Sequence, residues 1–191
     1  AFVLSEAARQ LGVWQRMFTP VEPVFVSVNV SSAQLIGPRL LHLAKTILSR
    51  EELVPGSLKL EITETLVMEN PELSLQMLDR LKAMGLGLSC DDFGTGYSSL
   101  SYLRRLPFDT LKVDRSFLQA GLEDERGSVV LDAIILLAHD LGLSVVVEGV
   151  ETQSQLDHLV ALECDLAQGF LIGEPIDAQH VVSALGAPSR D

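Results

Sequence analysis

The sequence predicts an α/β fold in which helices cover a parallel β-sheet. Short segments rich in valine, leucine and isoleucine alternate along the chain with longer segments whose apolar residues recur at helical spacing. The short segments are almost wholly apolar, which is typical of strands that are buried on both faces. Regular alternation of such strands with helices predicts a parallel sheet between layers of helix.

Six strands and seven helices are predicted, in alternating order after the first helix. The strands are 24–30, 58–62, 86–91, 109–114, 143–148 and 165–170. The helices are 2–18, 37–50, 71–84, 100–106, 127–141, 153–162 and 178–185. Pro71 suits the first turn of its helix because proline has no N–H to leave unpaired there. Residues 186–191 are expected to form a disordered tail.

Two architectures fit this order of elements, an open doubly wound sheet and an eight-stranded barrel. The open sheet is usually accompanied by a glycine-rich phosphate fingerprint or a Walker loop, and the sequence contains neither. A barrel normally takes about 250 residues, whereas this chain has 191. A barrel would therefore be incomplete or unusual at its N-terminus.

Composition excludes several classes of function. The chain has 26 acidic and 14 basic residues and a formal charge of −12, which argues against a DNA or RNA polymer as partner. A small phosphorylated ligand stays possible, because a divalent metal can supply positive charge locally. No apolar run reaches the roughly 18 residues of a membrane span, and no secretory signal begins the chain. Cys90 and Cys164 are expected to be buried, reduced thiols.

Polar residues collect where the predicted strands end. They are Asn29, Glu61 with Glu64 after it, Asp91 and Asp92, Lys112 and Asp114, Glu148 with Glu151 after it, and Gln168. Each alone has a simpler explanation as a helix cap, a first-turn acid or a solvated edge residue. In a parallel barrel, however, all of them face one mouth, which is where active sites of that fold lie.

The residue types indicate a metal-dependent phosphohydrolase. Several carboxylates with an amide oxygen suit Mg²⁺ or Mn²⁺ better than zinc, and the four histidines are scattered without metal-ligand spacing. Asp91 and Asp92 could hold two metals about 3.5–4 Å apart, as in enzymes that hydrolyse phosphodiesters. Lys112 could stabilise developing charge or position the attacking water.

The sequence resembles the EAL family of bacterial cyclic di-GMP phosphodiesterases. The resemblance runs from about residue 2 to Pro175, and the stretch 89–100 is its most specific part. The motifs that carry it are 26–31 (VSVNVS), 60–64 (LEITE), 91–100 (DDFGTGYSSL), 111–117 (LKVDRSF), 148–152 (EGVET) and 168–170 (QGF).

The resemblance implies a modified TIM (β/α)8 barrel that opens cyclic di-GMP to linear pGpG with Mg²⁺ or Mn²⁺, two ions per site. It implies catalytic roles for Lys112, which would orient the water nucleophile, and for Glu61, Asp91 and Glu148. Implied metal ligands are Asn29, Glu61, Asp91, Asp92 and Glu148, with Gln168 acting through a water. Glu64 would anchor the glycine-containing loop that follows Asp92. Glu151 would support the metal ligands without binding metal itself. Asn29, Asp114, Phe170 and Pro175 would contact the substrate.

The chain departs from the family pattern at its N-terminus. The Glu-Ala-Leu tripeptide that names the family and the Gln-Pro-Ile strand before it are absent from the sequence. The tripeptide's glutamate would be a ligand of the first metal, and a nearby arginine would contact substrate phosphate. We therefore expect 1–191 to be an EAL domain that is partial at its N-terminus. Smaller departures are Val147 in place of alanine and Glu163 in place of glycine.

Alternative functions follow from the same resemblance. Some EAL domains are catalytically inactive receptors for cyclic di-GMP, and a scaffold without ligand is a third class. The intact motifs favour the enzyme. The resemblance further implies a homodimer, fusion to sensory or cyclase-type domains, and a cytoplasmic location, with membrane anchoring elsewhere in the protein left open.

Overall fold

The computed structural model describes residues 2–18, 24–94, 103–123 and 125–185. The helices are α1 (Phe2–Met17), α2 (Ser32–Leu35), α3 (Pro38–Leu48), α4 (Glu64–Glu69), α5 (Pro71–Ala83), α6 (Arg115–Glu123), α7 (Glu125–Asp140), α8 (Gln153–Ala161) and α9 (Ala178–Leu185). The strands are β1 (Val26–Asn29), β2 (Leu58–Thr63), β3 (Gly87–Phe93), β4 (Thr110–Val113), β5 (Ser144–Glu148) and β6 (Leu166–Gln168).

The six strands form one parallel sheet in the order β1-β2-β3-β4-β5-β6. Each strand lies beside the next one in the chain, and helices supply the crossovers, as a singly wound barrel requires. The α/β class and the parallel sheet are thus confirmed. The strands curl into a half-barrel, as expected for part of an eight-stranded barrel.

The curl is visible in contacts between strands that are not neighbours. Lys59 on β2 donates a hydrogen bond from Nζ to Oγ1 of Thr110 on β4, across β3, at 2.9 Å. A cavity of about 330 Å³ lies on the same concave face and is lined from all six strands or their flanks. Strand side chains alternate between this concave face and the helix layer.

The two faces of the sheet differ in chemistry. Side chains that point to the helices are apolar and fully buried. Among them are Leu60, Ile62, Leu88, Leu111, Val145 and Val147. Side chains one position away point inward and are mostly polar, such as Glu61, Ser89 and Lys112. The helix layer therefore supplies the hydrophobic core, and the concave face is free to carry polar chemistry.

Helix caps explain where several elements begin. The Asn70 side chain accepts a hydrogen bond from the Leu73 N–H at 3.4 Å, and Pro71 occupies the first turn of α5 as predicted. Thr63 caps α4 through the Leu66 N–H, and the Asp114 carboxylate accepts from the Ser116 N–H at the start of α6.

The structure corrects several predicted boundaries. It adds three helices, α2, α4 and α6, which the sequence reasoning did not predict. Strand β3 continues to Phe93 instead of ending at Asp91, with a shift of register between Cys90 and Phe93. The predicted helix at 100–106 begins outside the described residues, and the predicted tail at 186–191 lies outside them as well.

Two further expectations concern the cysteines and membrane spans. Both cysteines are free thiols, and Cys90 is buried while Cys164 is partly buried. Burial raises the pKa of the Cys90 thiol, so this group is a structural apolar residue and not a ready nucleophile. Among the described residues no helix combines the length and apolar character that crossing a bilayer requires.

Candidate functional site

Lys112 stands at the centre of the polar cluster. Its Nζ lies 2.6 Å from Oε1 of Glu148, 2.9 Å from Oδ1 of Asp91 and 3.1 Å from Oε1 of Glu61. The four residues come from the four successive strands β2 to β5. The structure therefore brings together all four residues that the sequence predicts to be catalytic.

Sheet geometry explains why they meet. Parallel strands end at the same edge of the sheet, and the alternation of side chains puts these four residues on its concave face. The side chains of Lys112, Glu61 and Asp91 are only 9%, 10% and 12% exposed, and that of Glu148 is 25% exposed. Charges this deeply placed are costly unless they are paired, and here they pair with each other.

The electrostatics of Lys112 follow from two opposing effects. Burial alone would lower the pKa of the Lys112 ammonium. Hydrogen bonds to Glu148 and Asp91, together with the charge of Glu61, outweigh burial and raise the pKa above its ordinary value. Lys112 is therefore a fixed cation at neutral pH.

Asp92 lies beside this cluster in an unusual backbone conformation. Its φ is +52°, a left-handed value that few residues other than glycine adopt, and it sits at the shift of register in β3. Asp92 is exposed, yet desolvation is the largest cause that raises the pKa of its carboxyl, and the negative charges of Asp91, Glu148 and Asp114 raise it further. The charge of Lys112 acts in the opposite direction.

The donor chemistry of the cluster fits Mg²⁺ or Mn²⁺. Glu61, Asp91, Asp92 and Glu148 offer only oxygen ligands, and their four formal negative charges exceed the single positive charge of Lys112 by three. In the described part of the chain, no three His, Cys, Asp or Glu side chains form a ready ligand group as they stand. The carboxylates of Glu61, Asp91 and Glu148 instead pair with Nζ of Lys112, so the lysine ammonium is the cation at the centre of the cluster.

Two predicted supporting residues flank the cluster. Glu64 is buried at the start of α4, and its Oε2 accepts a hydrogen bond from the Gly94 N–H at 3.2 Å. It thus contacts the beginning of the glycine loop, whose residues 95–102 lie outside those described. The Glu151 side chain is exposed, and the backbone N–H of Glu151 donates a hydrogen bond to Oε1 of Gln155 at 2.7 Å.

The remaining predicted residues lie around the rim. Asn29 and Gln168 are exposed at the ends of the two edge strands, where Asn29 pairs with Glu61 and Gln168 with Glu148 in register. The hydrogen bond from Ser116 lowers the pKa of Asp114. Phe170 and Pro175 are exposed on the segment after β6. Their predicted contacts with metal or substrate stay predictions.

Sequence reasoning missed Gln155, which shapes the loop after Glu148. Gln155 is 5% exposed, and its Oε1 accepts hydrogen bonds from the N–H groups of Glu151 and Thr152 at 2.7 and 2.8 Å. Thr152 in turn accepts from the Gln155 N–H, which completes a capping box at the start of α8. The spacing Thr152-x-x-Gln155 is a signal that could have predicted it.

Comparison with known sequences gives a consistent result. The family model described as EAL domain matches residues 1–175. MucR of Pseudomonas aeruginosa, a bifunctional diguanylate cyclase and cyclic di-GMP phosphodiesterase, is 40% identical over 184 residues, which are 96% of this chain and 27% of MucR. RocR of the same species, a cyclic di-GMP phosphodiesterase, is 42% identical over 159 residues, which are 83% of this chain and 41% of RocR. The chain spans well under half the length of these relatives.

Comparison with solved structures agrees. The phosphodiesterase MucR from Pseudomonas aeruginosa in complex with c-di-GMP matches with a TM-score of 0.87 and 41% identity, over 94% of this chain and 72% of the solved one. Six parallel strands, a carboxylate cluster at their ends and a family match over nine-tenths of the sequence lead to one assignment. This chain belongs to the EAL domain family.

Proposed function

We propose that this chain is a metal-dependent phosphodiesterase domain that hydrolyses cyclic di-GMP to linear pGpG. The observation that carries the proposal is the convergence of Glu61, Asp91 and Glu148 on Lys112 at the carboxyl edge of the sheet. Relatives named as cyclic di-GMP phosphodiesterases, MucR and RocR, support the substrate and the reaction.

Asn29, Glu61, Asp91, Asp92 and Glu148 would hold the Mg²⁺ or Mn²⁺ ions, with Gln168 acting through a water. When bound, the metals would supply positive charge to the phosphate and lower the pKa of the attacking water. The four carboxylates carry more negative charge than the single ammonium of Lys112 can offset, and a bound cation would offset the excess, which supports this assignment.

Lys112 would act as a fixed donor in this reaction. In its charged form the lysine ammonium has three N–H donors and no acceptor, so it cannot act as a general base. A charged ammonium can instead donate hydrogen bonds to the water or to a phosphate oxygen and stabilise the charge that develops there. The three carboxylates that surround Nζ would limit its freedom to move and so orient it for this role.

A catalytically inactive receptor for cyclic di-GMP is the second candidate. Its supporting observation is the set of ion pairs from Lys112 to Glu61, Asp91 and Glu148, which could position a ligand site without requiring turnover. A domain that only binds ligand could keep this arrangement throughout its cycle.

Separate measurements of binding and turnover distinguish the two candidates. Cyclic di-GMP affinity and pGpG formation are measured on the intact protein with Mn²⁺, for the wild type and for Glu61→Gln. The enzyme hypothesis predicts that turnover falls by at least about 100-fold in E61Q, as for loss of a group that acts in the transition state. The matched control Glu69→Gln changes an exposed carboxylate at the end of α4 and should keep full activity. Tight binding by the wild type without turnover would establish the receptor.

The predicted homodimer is supported by an exposed apolar stripe on α7. Val129 and Leu136 lie seven residues apart, on one face of the helix, and each is 64% exposed. Analytical ultracentrifugation of Leu136→Glu should show a shift towards monomer. Fusion to cyclase-type domains, as in MucR, and a cytoplasmic location stay predictions.

A further inference from the structure

The two strands that carry Asp92 and Glu148 are each followed by a glycine in a left-handed backbone conformation. Gly94 follows Asp92 by two residues and has a φ of +90°. Gly149 follows Glu148 directly and has a φ of +77°. Both values favour glycine, because a side chain would be strained there. Each of these carboxylates is thus followed, within two residues, by backbone that glycine adopts without strain.

Both glycines lie against the first turn of helix α6. A Cβ atom added at Gly94 would overlap the tip of the Phe117 ring, and one added at Gly149 would overlap Cβ of Arg115. The two glycines are therefore needed for close approach as well as for conformation. Helix α6 follows β4 directly, so its first turn lies between the ends of β3 and β5.

The turn at Gly94 is held from two sides. On one side its N–H donates to the buried carboxylate of Glu64 at 3.2 Å. On the other side its Cα faces the ring of Phe117, which packs against the hydrophobic core. The neighbouring Leu118 is 1% exposed and anchors α6 in that core. The ring thus connects a rigid helix to the backbone next to Asp92.

We propose that Phe117 is a positioning residue that fixes the turn after Asp92 and so sets the geometry of the proposed metal site. Phe117 would act through the backbone of Gly94 and would itself contact neither metal nor substrate. The inference rests on the proposed function for its metal, but the positioning of the turn can be measured without one.

The test compares Phe117→Ala with Leu81→Ala, which removes a fully buried side chain from α5, near the opposite end of β3 from Gly94. Mn²⁺ affinity is measured by titration calorimetry, and hydrogen exchange is followed in metal-free protein for the peptide that contains Gly94. F117A should raise the Mn²⁺ dissociation constant by about 10- to 100-fold, as losses of outer-shell partners do, and should speed exchange of the Gly94 amide. L81A should lower the melting temperature but leave the Mn²⁺ affinity of the folded protein unchanged.

A double variant tests the contact itself. Gly94→Ala alone forces its new Cβ into the Phe117 ring, whereas Gly94→Ala combined with Phe117→Ala removes that overlap. The loss of Mn²⁺ affinity in the double variant should therefore be smaller than the combined losses of the single variants, since residues in contact are not additive. Additive losses would overturn the proposal.

Two further outcomes separate this inference from the proposed function. Equal effects of F117A and L81A on Mn²⁺ affinity and on Gly94 exchange would overturn the positioning role. A wild-type protein that binds no Mn²⁺ would overturn the metal-dependent function. In that case exchange of the Gly94 amide still decides the positioning role. Faster exchange in F117A alone would support the role, and unchanged exchange would refute it.

Discussion

Nζ of Lys112 lies 2.6 Å from Oε1 of Glu148, so an ion pair joins the carboxyl end of β4 directly to that of β5. The same ammonium contacts Asp91 and Glu61, and this one group therefore joins four strands at the edge of the half-barrel. Because it supplies positive charge among converging carboxylates, Lys112 stabilises the site before any metal binds.

Replacing Lys112 should make the stability of the fold depend on metal. Lys112→Met keeps an unbranched side chain that is one atom shorter but leaves the three carboxylates unpaired, which should reduce the free energy of unfolding by about 3 kcal/mol in chelator. Added Mn²⁺ should restore more stability to K112M than it adds to the wild type. Urea unfolding with and without Mn²⁺ measures both effects.

Lys59→Met is the matched control, since Lys59 lies on the same concave face but bonds to Thr110 and not to the carboxylates. Its Mn²⁺ response should equal that of the wild type. Equal stability of K112M and wild type in chelator would contradict the role given to Lys112.

Removing Gln155 should loosen the loop that follows Glu148. Gln155→Ala leaves two backbone N–H groups without their acceptor, which should cost about 1–3 kcal/mol of stability. Gln153→Ala, on the same helix but exposed, should cost under about 0.5 kcal/mol. Thermal or urea unfolding of the two variants gives the comparison, and equal losses would show that the capping box does not hold the loop.

The sequence was sufficient to predict the residues of the cluster but not their contacts. Because parallel strands end at one edge, Glu61, Asp91, Lys112 and Glu148 were expected among the polar residues that collect there, and the resemblance to the EAL family selected them from that larger set. The contacts of the Lys112 ammonium with three of the four carboxylates could not be predicted. A lysine side chain has many rotamers, and only the curl of the sheet selects one of them. The curl depends on contacts between distant strands.

Asp165 should give the fold a measurable dependence on pH. Its Oδ2 accepts from the Val145 N–H at 2.8 Å and lies 2.9 Å from Nε2 of His139. Burial alone would raise the pKa of Asp165, but these two partners outweigh it and lower the pKa. A lowered pKa gives stability that is present above the ordinary aspartate value and is lost as the pH falls through the folded-state value.

The wild type should therefore exceed Asp165→Asn in stability by about 1 kcal/mol at pH 6, and the difference should shrink below about pH 4. Urea unfolding of both proteins at several pH values measures it. A difference that stays constant down to pH 3 would show that the Asp165 charge contributes nothing.

Glu163 has a backbone conformation that is strained for any residue other than glycine. Its φ is +55°, which explains why glycine was expected there. Glu163→Gly should raise the free energy of unfolding by up to about 1 kcal/mol, since it relieves a left-handed conformation. Gly142→Ala places a side chain at a φ of +74° and should do the reverse. Differential scanning calorimetry compares them, and a lower melting temperature for E163G would refute this explanation.

The least predictable features are contacts between elements far apart in the sequence. Helix α6 has an aspartate cap at Asp114, a local signal, yet the packing of Phe117 on Gly94 joins residues on different elements. The left-handed turn at Asp92 likewise depends on the shift of register in β3. Local patterns carry no information on either, because both are set by tertiary packing.

Metal-dependent hydrolysis is tested most directly by formation of pGpG from cyclic di-GMP by the intact protein, measured by chromatography with Mg²⁺, with Mn²⁺ and with chelator. Linear pGpG should accumulate with either metal, and chelator should stop its formation. Absence of pGpG with both metals, or equal turnover in chelator, would contradict a metal-dependent phosphodiesterase.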